Sequence, residues 1–168
     1  MTTLRTLRLR MAIGVLALVG LLVAIYLALF ETGLSGSLVC PNTGCAEVNQ
    51  SAYVTMFVIP IGVLGVIGYS LILAVTLGWT KWRQLVGATN PRPPAWAQRV
   101  PWAYNILSSI PVGLVLVGLS AFGFLFSLFL TYLELFEIRA ICTWCAISAG
   151  LMTAIFALAL WAWFAERG

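Results

Sequence analysis

The chain has 168 residues, 62% of them hydrophobic and only 8% charged, with a net charge of +4. A soluble domain averages about 25% charged residues, so this composition requires lipid over much of the surface. Nine basic residues that form no run argue against a nucleic-acid partner and point to membrane topology instead.

Arg5, Arg8 and Arg10 precede an apolar run from Met11 to Phe30, too long for a signal-peptide core and followed by no clear cleavage site. It reads as a retained first transmembrane helix, a cleaved signal being the alternative. Three further apolar stretches follow, at about 57–77, 106–133 and 141–164. Each reaches the ~20 residues that cross ~30 Å of hydrocarbon. No charged residue falls inside any of these four spans, so the sequence offers no intramembrane proton pathway. The expected fold is an all-α integral membrane protein, a four-transmembrane-helix bundle in a single domain, 1–168.

The connections set orientation. The N-terminal tail and the segment holding Lys81, Arg83, Arg92 and Arg99 are basic and contain no acid. The first connection carries Glu31 and Glu47, and the third carries Glu134 and Glu137 against Arg139. This alternation predicts both termini in the cytoplasm of a cell inner or plasma membrane. All four cysteines then lie on the outer, periplasmic or extracellular side. Within the first outer loop, Ala46 to Met56 is expected to form a short amphipathic helix on the membrane.

The cysteines form two close pairs, and the chain contains no histidine. Cys142-Thr143-Trp144-Cys145 is a CxxC at the expected outer start of the fourth helix, where the helix terminus favours a thiolate. Cys145 should lie ~4.5 Å deeper than Cys142 along the axis. Trp144 is placed to stack beside a flat ring. Cys40 and Cys45 sit on a loop with Gly33, Gly36, Pro41 and Gly44 around them, which suits a shuttle that must reach two partners. The alternatives are structural disulfides in a membrane scaffold or subunit, and a four-cysteine zinc site. The oxidising side of the membrane opposes zinc, and no metal is expected.

Several motifs resemble the vitamin K epoxide reductase family: Cys40, Cys45-Ala46-Glu47-Val48, Ser51-Ala52-Tyr53, Ile59-Pro60-Ile61-Gly62, Gly65, Gly68-Tyr69 and Cys142-Thr143-Trp144-Cys145. The order of the pairs, spaced pair first and CxxC second, is that family's. The resemblance implies a four-helix bundle around a quinone, capped by the first outer loop. By the same likeness Cys40 receives electrons from a separate thioredoxin-like (DsbA-like) protein, since this chain ends at Gly168 without such a domain. Cys45 then attacks Cys142, and Cys145 reduces a membrane quinone, ubiquinone or menaquinone. Ser51, Tyr53, Trp144 and Cys145 are the quinone contacts this implies. Ile61 and Ala149 stand where the vertebrate enzymes carry an Asn and a Tyr, which favours a plain quinone over an epoxide.

Overall fold

The computed structural model of the protein describes residues 2–34, 45, 48, 55–56, 59–85 and 112–167. Long uninterrupted apolar sequence forms helix here because lipid offers no partner to backbone N–H and C=O groups, which must pair within the segment. Helix α1 spans Thr2–Glu31 and α2 spans Ile61–Leu85. Helix α3 spans Val112–Tyr132 and widens into a π-helical segment, Leu133–Ile138. Helix α4 spans Thr143–Arg167. Stretches of these four helices, Arg8–Glu31, Ile61–Gly78, Gly113–Ile138 and Thr143–Ala165, are long and apolar enough to cross a membrane.

Two boundaries differ from the sequence expectation. The second span does not begin at Phe57. Strand β1, Thr55–Met56, pairs antiparallel with β2, Ile59–Pro60, and α2 starts only after Pro60. Proline cannot donate a helical hydrogen bond, so a helix start just beyond it is the natural register. The same hairpin corrects the expected surface helix, which does not extend to Met56; Val48 within that segment and Cys45 just before it are helical.

The helices are arranged in the order α2, α1, α4, α3, with α1 packed on both α2 and α4 and α4 packed on α3. Ile13, Ala17, Ala24, Tyr69, Ile72, Leu116, Met152, Ile155 and Ala159 make the core. Large side chains such as Leu22, Phe122, Leu125 and Phe164 point outward, as lipid-facing residues do. Lipid is as apolar as leucine, so helix association rests on close van der Waals contact and favours small residues. At Gly20, an added Cβ would lie 2.2 Å from the Tyr69 ring. At Gly62, an added Cβ would lie 2.6 Å from the Ala28 backbone nitrogen. These two glycines set how closely α1 and α2 approach.

The α2–α3 seam is different. These helices touch sparsely, and a gap remains between them. The C-terminal ends of α1 and α3 and the N-terminal ends of α2 and α4 meet at one end of the bundle, where the cysteines lie.

Candidate functional site

Helix α1 ends in a Schellman closure: Gly33 adopts φ 75°, its N–H reaches the Phe30 carbonyl, and the Leu34 N–H reaches Leu29. The third span ends in a wider version of the same device. The Glu134 carbonyl accepts the backbone N–H groups of Arg139 and Ala140, with Arg139 at φ 55°. A left-handed non-glycine residue costs about 1–2 kcal/mol, and π turns of this kind cluster at functional sites. The turn has a clear structural consequence. It folds the chain back within eight residues, so that Glu134 sits over the start of α4.

Both helix ends then cap the next helix. The first N–H groups of any helix lack intrahelical partners and favour negative charge. At α2, the Gly62 N–H donates to Glu31 Oε2 at 2.7 Å. At α4, the Cys142 N–H donates to Glu134 Oε2 at 3.3 Å. Each carboxylate comes from the end of one helix and serves the start of the following one. Both line the same cavity. The expectation that no ionisable residue belongs to a span is therefore corrected, since the first and third spans extend to Glu31 and Ile138.

The CxxC occupies the first turn of α4 with its two sulfurs in unlike roles. The Ala146 N–H bonds the Cys142 carbonyl at 3.0 Å, which makes Cys142 the N-cap residue. Its sulfur accepts the Cys145 N–H at 3.4 Å, in the manner of a serine or aspartate cap. A hydrogen bond from the Cys145 thiol holds the Cys142 thiol below its ordinary value; burial opposes this, backbone N–H groups of Cys145 and Trp144 support it, and the charge of Glu134 works against it. Of the two sulfurs, Cys142 is thus the one whose place at the helix start favours thiolate character.

The surroundings differ as much. Cys142 is fully buried in a small cluster with Cys45, Val48 and Ala140. Cys45 is also fully buried and is disulfide-bonded, whereas Cys142 and Cys145 are free. A disulfide sulfur cannot serve as a zinc thiolate, and among the described residues no three Cys, Asp or Glu side chains are grouped to hold a metal. Cys145, at the edge of this cluster, forms part of the wall of the cavity.

That cavity occupies the gap between α2 and α3, with a volume of about 300 Å³. Leu64, Leu119, Phe126 and Met152 supply apolar wall, and the exposed side chains of Ile67, Leu71 and Phe122 stand at its lipid-facing edge. Its polar groups are few: Glu31, Tyr69, Ser127, Thr131, Glu134, Cys145 and Ser148. Tyr69 and Ser148 are tied together, the phenol donating to the Ser148 carbonyl at 2.9 Å and meeting its hydroxyl at 3.0 Å. This bond joins α2 to α4 one turn below Cys145. Small-ligand pockets have this form, apolar walls with a few convergent polar groups.

Of the residues singled out in the sequence, Cys45, Cys142 and Cys145 come together here. Cys40, Ser51 and Tyr53 lie outside the described residues. Trp144 is not on the cavity wall; its ring meets Tyr26 of α1 edge-on, with centroids 5.3 Å apart, and packs against the Cys45 cluster. Successive residues on a helix point about 100° apart, so Trp144 faces Tyr26 of α1 while its neighbour Cys145 faces the gap. Ile61 and Ala149 both line the cavity and offer no hydrogen bond to a carbonyl. Sequence reasoning missed Glu31, Glu134, Tyr69 and Ser148 as site residues. An acid ending an apolar run a few residues before a CxxC was the available signal for Glu134.

Four helices able to cross a membrane thus hold a cysteine pair, Cys142 buried and Cys145 half-buried, between the Cys45 disulfide and an apolar cavity. The vitamin K epoxide reductase family model matches residues 11–160, and the chain belongs to that family. It is accordingly a multi-pass membrane oxidoreductase. A comparison with individual curated proteins finds no match.

Proposed function

We propose that this protein reoxidises a separate thioredoxin-like (DsbA-like) protein outside the cytoplasm and passes the electrons to a membrane quinone, so driving disulfide formation in exported proteins. The observation that carries this reading is the position of the CxxC: Cys142 is buried against Cys45, while Cys145 opens on the cavity. Electrons entering at the loop therefore meet Cys142 first and leave from Cys145.

The exchange steps balance without an added oxidant or reductant. A partner dithiol reduces the Cys40–Cys45 disulfide and becomes a disulfide itself. The Cys45 thiolate then attacks Cys142 within an oxidised Cys142–Cys145 pair, forming a Cys45–Cys142 bond and releasing Cys145. Attack by Cys40 on Cys45 restores the loop disulfide and releases Cys142 as the thiolate that its N-cap position favours. The outcome is a disulfide at Cys45 with Cys142 and Cys145 free, which is the combination found here.

The cavity fits a quinone ring. Its volume, its apolar walls and its lipid-facing edge suit a flat hydrophobic molecule with an isoprenoid tail, and Cys145, Glu134 and the Tyr69–Ser148 pair could hold the ring's polar edge. A quinone, when bound, supplies an acceptor for two electrons and two protons. Ile61 and Ala149 add only apolar surface, which supports a plain quinone rather than an epoxide as substrate. The alternation of basic and acidic connections supports an outer location for the cysteines, with both termini inside. Ser51 and Tyr53 remain quinone contacts on the strength of the family likeness.

The test is quinone reduction by purified protein given a reduced DsbA-like partner. The expected result is partner oxidation stoichiometric with quinol formation. Partner oxidation without quinol, or no oxidation at all, contradicts the reading.

A further inference from the structure

Closing a dithiol into a disulfide removes two electrons and also every proton the sulfurs carry. A thiol held at an apolar site passes its proton to a group within hydrogen-bond reach, directly or through one water. Among the described residues two acceptors are placed near Cys145: the Cys142 sulfur, which takes the Cys145 backbone N–H, and the Glu134 carboxylate, which takes the Cys142 N–H and shares the cavity wall with Cys145. Cys142 forms the new S–S bond and cannot keep the proton. Glu134 can.

Glu134 is built into this position. It is 7% exposed, anchored through its carbonyl by Arg139 and Ala140, and oriented through its carboxylate by the Cys142 N–H. It lines the cavity beside Cys145, so it reaches both the thiol and the space where an acceptor sits. Facing it are Cys142 and Cys145 at the start of α4, while Glu31 of α1 and Tyr69 of α2 share the cavity; Glu137 and Arg139 on its own segment are exposed. Glu31 lies in the same cavity but caps Gly62.

We propose that Glu134 is a catalytic proton carrier, taking the Cys145 thiol proton as the Cys142–Cys145 bond forms and delivering it to the ring oxygen of the acceptor in the same cavity. The proposal rests on the quinone-reductase reading above. The Cys142 thiolate and Cys145 thiol become one S–S bond, two electrons pass to the quinone, one proton arrives through Glu134 and the second comes from solvent. Quinol leaves, and Glu134 returns to its starting state.

Glu134→Gln keeps an oxygen to cap Cys142 but cannot carry the proton, which separates the two roles. Prereduced wild-type protein, Glu134→Gln and Glu134→Asp are compared with a short-chain quinone across the neutral pH range. We expect Glu134→Gln to be slower by about a hundredfold and to lose the pH dependence of the rate, and Glu134→Asp to retain it. A second readout needs no quinone. The oxidised-minus-reduced infrared spectrum of the stripped protein should contain a carboxyl band that Glu134→Gln lacks. Wild-type and Glu134→Gln proteins with the same carboxyl bands, or with rates within about twofold of each other, overturn the proposal and leave the quinone reading standing. A wild type that reduces no quinone overturns that reading, and this proposal with it.

Discussion

The two seams flanking α2 are built from opposite materials. Against α1, Gly20 admits the Tyr69 ring, Gly62 admits the Ala28 backbone, and Gly65 meets Ala24. Against α3, the wall is Leu64, Leu119, Phe122 and Phe126, and the helices stay apart around a cavity. In lipid a missing side chain is what allows contact, because apolar bulk gains little by leaving one hydrocarbon surface for another. Bulk on both sides of a seam therefore keeps it open. The closed seam fixes Tyr69 and Glu31, and the open one leaves an apolar cavity that reaches Cys145.

The strongest way to break the closed seam is Gly20→Leu. Its Cβ alone would overlap Tyr69, a ring held at its other end by Ser148 and therefore unable to swing away. Overpacking of this kind costs roughly 1–3 kcal/mol, seen as a lower thermal midpoint in detergent. Gly118→Ala, where an added Cβ meets nothing within 4 Å, should instead leave the midpoint unchanged or slightly raised. Equal losses from the two variants would mean that the α1–α2 contact is not what the glycines serve.

The open seam should respond in activity rather than stability. Ala149→Phe projects a ring into the cavity from α4. We expect quinone KM to rise by more than about tenfold, equivalent to ~1.4 kcal/mol of lost binding, with the midpoint little changed. Exchange between the partner and Cys45 should continue, because that chemistry lies outside the cavity. Normal quinone kinetics in this variant would place the ring somewhere else.

The smallest expected effect joins the two seams. Tyr69→Phe keeps the ring against Gly20 but removes its hydrogen bonds to Ser148. The loss should be about 1 kcal/mol, measured as a shift in the unfolding midpoint. A larger loss would show that the α2–α4 tie, rather than glycine packing, holds α2 in place.

Much of this was legible in the sequence. Apolar runs revealed four spans because lipid enforces helix, and the paired cysteines pointed to the end of the bundle where Cys45, Cys142 and Cys145 meet. The two carboxylates were hidden by the same logic. Glu31 and Glu134 each stand one residue beyond an apolar run, so a reading based on hydropathy ended the helix just before them. Their role depends on which helix starts beside which helix end, and that is a property of packing. The π turn at Leu133–Ile138 likewise has no periodic signature. Trp144 was set beside a ring from its place in the motif alone, whereas its place on α4, one residue before Cys145, turns it toward Tyr26.

The central claim is that the dithiol bridges the loop and the cavity, with Cys142 serving one and Cys145 the other. Trapping the mixed disulfide tests it most directly. Cells expressing Cys145→Ser or Cys142→Ser are acid-quenched, free thiols are blocked, and the disulfide-linked peptides are mapped by mass spectrometry. Cys142 lies in the same buried cluster as Cys45, so Cys145→Ser should accumulate a Cys45–Cys142 disulfide and Cys142→Ser should accumulate none. A Cys45–Cys145 disulfide in Cys142→Ser, with no Cys45–Cys142 disulfide in Cys145→Ser, would reverse the two roles and contradict the account.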